Sequence, residues 1–358
     1  MSSQESEKEL ESLDYQSILA KLNLVLQQNP DDLDAYYHRS ELYYNLGDYA
    51  AGIKDLDVIV QAQPNATLAY MFRAYGHGQL GNQQQAITDY TTVINLCPNY
   101  AKAYFNRGSI YQQLEQYQNA IADFMRAIDL NKYYLDAYYN RAISYNKLNQ
   151  YPSAIADYTQ VIRLNPDDAE AYYNRANTYN QVKQYPQALA DYAQTIRLNP
   201  QDLEAYYNRA NVYHKTQQLE KAIADYTHII NSNSRHAPTY YNRGTSYLTA
   251  QKYPQAIADY TQAISLQPQY AEAYYNRAIA HNKIQKYQEA IADHQTAISL
   301  KSNYAEAYGN LGLVYQTLGN QHQAVKNLQQ AATLFKQQNK QSLYQYVLEK
   351  LNAINLQQ

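Results

Sequence analysis

Tryptophan is absent from this chain of 358 residues, cysteine occurs once, and glycine is held to 10 residues. The single cysteine, Cys97, excludes an intrachain disulfide framework, and with no partnering base near it in sequence it reads as a residue of packing or incidental exposure rather than of catalysis. The eight histidines (His38, His77, His214, His228, His236, His281, His294 and His322) show no zinc-type spacing, so no metal is expected. No glycine-rich, phosphate-cradling loop is found, and no cofactor is expected. No apolar run reaches membrane-spanning length. Neither sign of charge is in excess: 29 Lys and Arg against 32 Asp and Glu leave a formal net charge of -3. That balance carries no footprint for nucleic acid or an anionic membrane. Met1 to Glu11 is polar and acidic, unlike a signal or transit peptide, so a cytoplasmic address is expected.

What the chain does have is 43 tyrosines and a strict period. Pro30, Pro64, Pro98, Lys132, Pro166, Pro200, Ser234, Pro268 and Ser302 follow one another every 34 residues without a slip. Such self-similarity is the mark of a stacked array, whose units cannot bury their apolar faces alone. In the unit Ala169 to Asp202, Tyr172, Arg175, Ala176 and Tyr179 form one helical stripe, and Ala188, Tyr192, Thr195 and Ile196 form another. Pro186 stands where a second helix opens, a place where its missing N–H costs nothing. Asn199-Pro200 ends that helix, because proline cannot continue it and disfavours helix at the residue before. Each unit therefore reads as helix A, turn, helix B, turn.

The pattern resembles the tetratricopeptide repeat. Its first aromatic is Tyr36, Tyr70, Tyr104, Tyr138, Tyr172, Tyr206, Tyr240, Tyr274 and Tyr308. Four residues on stands a small residue (Ser40, Ala74, Gly108, Ala142, Ala176, Ala210, Gly244, Ala278, Gly312), and helix B carries Ala86, Ala120, Ala154, Ala188, Ala222, Ala256, Ala290 and Ala324, with Gly52 in the first unit. The resemblance implies an all-α fold: a right-handed superhelical solenoid of antiparallel helix pairs. It covers nine units, 33–66, 67–100, 101–134, 135–168, 169–202, 203–236, 237–270, 271–304 and 305–338. A flexible tail is expected over 1–12, a capping helix within 13–32 and another within 339–358, giving 20 helices and no strand.

Where the family usually has leucine, units one to eight carry arginine: Arg39, Arg73, Arg107, Arg141, Arg175, Arg209, Arg243 and Arg277. Sixteen residues on stand Asp55, Asp89, Asp123, Asp157, Asp191, Asp225, Asp259 and Asp293, and both are replaced together in unit nine, by Leu311 and Asn327. Joint loss points to a structural ion pair inside each unit rather than to a clamp for an anionic ligand.

The resemblance also implies that helix A lines a concave groove, and three rows there are candidates for binding a peptide. One is Asn106, Asn140, Asn174, Asn208, Asn242, Asn276 and Asn310, begun by His38 and Phe72. A second is Tyr37, Phe105, Tyr139, Tyr173, Tyr207, Tyr241 and Tyr275, with Met71 and Gly309 as variants. The third is Asn146, Asn180, His214 and Asn282, flanked by Lys147, Gln181, Lys215 and Lys283. Asparagine is a mediocre helix former whose amide offers both donors and acceptors, so seven interior copies suggest a ladder for peptide backbone. The row resembles that of the tetratricopeptide domain of O-GlcNAc transferase, without that enzyme's catalytic domain. The preceding row is mostly acidic (Asp34, Asp136, Glu170, Glu204, Glu272, Glu306), which favours a neutral or mildly basic segment over an acidic tail.

The expectation is thus a non-enzymatic scaffold binding an extended segment of another protein, in assembly or targeting of a complex, with no small-molecule substrate. The alternative is an RNA-binding solenoid that stacks bases on the groove tyrosines, which the few groove lysines disfavour. The Gln-, Asn- and Tyr-rich composition resembles bacterial repeat proteins.

Overall fold

The computed structural model describes residues 3–233 and 235–355, with side chains from Tyr15 to Ile354. Ser234 of the turn series, the first two residues of the expected tail and the last three of the expected C-terminal cap lie outside the described residues. Among the described residues there are 20 α-helices and no strand.

The helices group into two compact units. The first, ending at Thr178, holds α1 (Ser3–Gln28), α2 (Leu33–Asn45), α3 (Tyr49–Ala62), α4 (Thr67–Gln79), α5 (Gln83–Leu96), α6 (Ala101–Gln113), α7 (Tyr117–Leu130), α8 (Leu135–Lys147), α9 (Tyr151–Leu164) and most of α10 (Ala169–Gln181). The second, beginning at Tyr179, holds the end of α10, then α11 (Tyr185–Leu198), α12 (Leu203–Lys215), α13 (Leu219–Ser232), α14 (Ala237–Thr249), α15 (Tyr253–Leu266), α16 (Ala271–Lys283), α17 (Tyr287–Leu300), α18 (Ala305–Thr317), α19 (Gln321–Gln337) and α20 (Gln341–Asn355).

Two kinds of turn alternate. Helix A ends on a left-handed residue whose successor donates its N–H back to a carbonyl five residues earlier, as Gln116 does to Tyr111 and Gln218 to Tyr213, both at 2.8 Å. Only Gly47, Gly81 and Gly319 are glycines at that place; Glu115, Asn149, Lys183, Gln217, Gln251 and Gln285 hold φ between 57° and 62° with a side chain attached. Helix B ends instead on an extended residue such as Asn199, φ -129°, whose N–H bonds Thr195 O. Where aspartate precedes helix A it caps it: Asp32 accepts from the Ala35 N–H at 3.0 Å, and Asp202 from Ala205 at 3.0 Å.

Packing follows from small residues at the A–B contact. Every helix B alanine of the repeat is fully buried, as are Ala74, Ala142, Ala176, Ala210 and Ala278 opposite. The room they leave is filled by one large helix B side chain per unit: Leu56, Tyr90, Phe124, Tyr158, Tyr192, Tyr226, Tyr260, His294 and Leu328, all buried. The first unit departs in a correlated way. Tyr44 replaces a smaller or more flexible residue, and its ring lies where a Cβ on either Gly52 or Gly76 would collide with it. Its hydroxyl then donates to Phe72 O at 2.9 Å, tying α2 to α4.

The ends differ from the sequence expectation in detail. α1 begins at Ser3, so it runs through residues 3–12 that the sequence reading assigns to a tail; no proline or glycine interrupts Ser3 to Gln28. At the other end α19 has 17 residues where the preceding second helices have 14, and left-handed Asn339 follows it in place of an extended residue. Val347, Leu351 and Ile354 of α20 close the core over Leu328 and Phe335.

Candidate functional site

Seven of the recurrent arginines of helix A, Arg39, Arg73, Arg107, Arg141, Arg209, Arg243 and Arg277, each make a bidentate bond to the aspartate sixteen residues on. Arg39 donates from Nε to Asp55 Oδ2 at 2.8 Å and from Nη2 to Oδ1 at 2.6 Å. Arg73–Asp89, Arg107–Asp123, Arg141–Asp157, Arg209–Asp225, Arg243–Asp259 and Arg277–Asp293 repeat the fork at 2.7–2.8 Å. The aspartates are buried, Asp191 among them. The Asp bond pushes the Arg39, Arg73 and Arg107 guanidinium groups further above their ordinary value, so they stay charged. A tyrosine ring lies beside each guanidinium, and at Arg209 there are two, Tyr206 and Tyr213 at 5.4 and 5.8 Å.

Sequence reasoning missed a third bond. Arg Nη1 reaches back sixteen residues into the preceding helix B: Arg39 to Asn23, Arg73 to Asp57, Arg107 to Thr91, Arg175 to Thr159, Arg243 to Thr227 and Arg277 to Thr261, at 2.7–3.0 Å. The signal was present in the sequence, since Asn, Asp or Thr recurs at that place and gives way to Met125 and Ala193 before Arg141 and Arg209. Through these bonds the arginines join helix A to the second helix of the preceding repeat.

The asparagine and tyrosine rows are brought together. Asn174 Nδ2 donates to Tyr139 OH at 2.7 Å, Asn242 to Tyr207 at 2.8 Å, Asn276 to Tyr241 at 3.0 Å and Asn310 to Tyr275 at 3.1 Å, each time from one repeat to the one before. Asn140 departs, turning its Nδ2 to Asp136 O at 2.8 Å; Asn106 lies beside the Tyr90 phenol, and Asn208 and Tyr173 are half-buried. The tyrosines are half-buried too, each edge-on or tilted against the large helix B side chain of its own repeat: Tyr139 on Tyr158, Tyr207 on Tyr226, Tyr241 on Tyr260, Tyr275 on His294. Burial raises the phenols of Tyr139, Tyr207 and Tyr241, and pushes Tyr275 up to about 12, so all are neutral donors and acceptors near pH 7.

The third row also bridges repeats. Asn146 Nδ2 donates to Thr178 Oγ1 at 2.9 Å, and His214 Nδ1 lies 3.0 Å from Ser246 Oγ. Burial lowers His214 below its ordinary value, keeping it neutral. Lys147, Lys215 and Lys283 are exposed, with Lys215 Nζ 3.4 Å from Asn180 Oδ1. Two members of the acidic row find lysines: Glu272 pairs with Lys301 at 3.2 Å and Glu306 with Lys340 at 2.6 Å.

His281 and His294 fall in one helix pair, α16 and α17, and both are neutral because burial lowers them; His294 drops to about 4. Neither His294 nitrogen has a hydrogen-bond partner, and His281 Nε2 is 3.8 Å from Asp293 Oδ2. Among the described residues no group of three or more His, Cys, Asp or Glu could hold a metal ion, and no helix is long and apolar enough to cross a membrane.

Family models for the TPR repeat match residues 79–115 and 144–183. Models described as tetratricopeptide repeat match 16–67 and 241–305, 101–134 and 169–202, 192–224, and 305–338. Together these matches span most of the chain. No curated protein matches it. Among solved structures, the chain is similar to YrrB, described as a TPR protein with an unusual peptide-binding site, at 21% identity and a TM-score of 0.47, over 51% of this chain and 95% of that one. It is also similar to a tetratricopeptide repeat protein from Parabacteroides merdae (20% identity, TM-score 0.49, 70% of this chain and 99% of that one). MamA from Desulfovibrio magneticus is a third, at 18% identity and a TM-score of 0.45 over 48% of this chain and 97% of that one.

Proposed function

We propose that this chain, which belongs to the tetratricopeptide repeat family, is a non-enzymatic scaffold that holds an extended segment of a partner protein against its helix A rows, in assembly or targeting of a complex. The observation that carries the reading is the Asn–Tyr bond repeated at four junctions. One amide N–H is spent on the phenol, which fixes the plane of the amide. At Asn242 the second N–H is spent on Asn211 Oδ1 at 3.2 Å, which leaves the carbonyl to accept from a peptide backbone. At Asn174, Asn276 and Asn310 the carbonyl and the second N–H are both oriented in advance, and a pre-ordered group loses less freedom on binding. A ladder of this kind reads main chain and leaves side-chain selection to its surroundings.

The test is selection of short random peptides on the wild type and on Asn242→Ala/Asn276→Ala/Asn310→Ala. Loss of selected peptides from a variant that melts as a folded helical protein supports the ladder. Equal retention places the binding surface elsewhere.

A further inference from the structure

At three junctions the tyrosine row is covered by a second aromatic ring, supplied by the residue that precedes the next helix A. Tyr134 lies 4.9 Å from Phe105, Tyr270 stacks on Tyr241 at 4.9 Å and 29°, and Tyr304 covers Tyr275 at 4.8 Å. At the last of these the chain adds a cation. Lys301 lies 4.6 Å from the Tyr304 ring centroid and pairs with Glu272, which stands three residues before Tyr275. Lys301 and Tyr304 thus occupy, from within the chain, a place walled by a carboxylate and a phenol.

Two repeats earlier, 68 residues back in register, the lysine and the covering tyrosine are both missing. Glu204 and Tyr207 correspond to Glu272 and Tyr275, but Asn233 stands for Lys301 and His236 for Tyr304. His236 is held by Thr239 Oγ1 at 2.6 Å and stands edge-on to Tyr207, 5.8 Å away at 78°. What remains is a cavity of about 360 Å³ lined by Leu203, Glu204, Tyr207, Ile229, Asn233 and His236 among others. In the first compact unit Ala66 replaces the ring altogether, and a cavity of about 320 Å³ opens beside Asp34 and Tyr37.

We propose that each of these two cavities is a receptor site for an aromatic side chain and the lysine or arginine beside it in a partner segment. This rests on the peptide-binding reading above and names the side chains that it selects. The complementarity is one of charge and of ring stacking. Glu204 and Asp34 are exposed carboxylates beside an apolar hollow, and the chain's own Lys301 and Tyr304 display the occupant that suits such a hollow. Partners of acidic or purely aliphatic sequence do not fit.

The test selects short random peptides on the wild type, on Ala66→Tyr/His236→Tyr, which installs the ring of the filled junctions, and on Asp34→Asn/Glu204→Gln, which alters only exposed groups. Enrichment of peptides carrying both a cation and an aromatic ring is expected. Filling the cavities should weaken them by roughly tenfold or more, and removing the carboxylates by about threefold with the aromatic preference kept. If the selected peptides lack that pair and bind both variants as they bind the wild type, yet are lost on Asn242→Ala/Asn276→Ala/Asn310→Ala, this inference is overturned and the ladder stands. If the folded wild type selects no peptide, both are overturned.

Discussion

Replacing His294 by phenylalanine should make the α16–α17 hairpin more stable, and the gain should grow as the solution is acidified. The ring is 1% exposed and occupies the place filled by Phe124, by leucine or by tyrosine in the sibling repeats, so phenylalanine fits the space. At neutral pH the substitution removes two nitrogens that have no partner, a gain of about 1–3 kcal/mol by the cost of burying such groups. Burial lowers the imidazole from 6.5 to about 4. A group depressed in the folded state binds its proton more readily when unfolded, so stability is full above the unfolded value and is lost as pH falls from 6.5 towards 4. The linkage relation puts the loss at about 1.4 kcal/mol at pH 5.5 and about 2.5 kcal/mol at pH 4.5. Other carboxylates and His281 titrate in both proteins and cancel in the comparison. Because stacked repeats open piecewise rather than as one unit, the readout should be amide hydrogen exchange in α17 at pH 7.5, 5.5 and 4.5. A difference between His294→Phe and wild type that does not change with pH would refute the assignment of a buried neutral imidazole.

Breaking one ion pair by Asp259→Ala should cost about 3–5 kcal/mol, since a guanidinium is left without its carboxylate, and Arg243→Ala added to it should recover part of the loss; a double-mutant cycle in urea with strictly additive losses argues against coupling. Gly76→Ala should destabilise by about 1–3 kcal/mol because the new methyl meets the Tyr44 ring, while the same change on a Tyr44→Asn background should cost much less by thermal melting. Gln217→Gly should raise stability by about 0.5–1 kcal/mol, the relief of the left-handed conformation exceeding the added freedom of glycine when unfolded; a fall in melting temperature would contradict the turn geometry.

The helix pairs were legible because a fixed period lets every position be compared with eight siblings, and hydrophobic spacing does the rest. The site was less so. Asparagine and tyrosine stand out as rows, but their bond joins residues 35 apart, Asn242 to Tyr207, and no helical spacing announces a partner one repeat away. The backward reach of Arg107 to Thr91 has the same character. The left-handed turns escaped notice because glycine, their usual signal, is replaced by Glu115, Lys183 or Gln251, whose neighbours impose the conformation. Tyr44, Gly52 and Gly76 look like three unrelated departures until one ring is seen between two missing methyl groups.

The turn after α19 limits how such an array can be lengthened. An extra hairpin grafted behind Asn339 would inherit that left-handed turn and launch its first helix in the wrong direction. Cutting at an extended junction such as Asn199 or Gln267 presents the geometry that an incoming copy requires, so internal duplication is the permissible route of growth and appending to the distal edge is not.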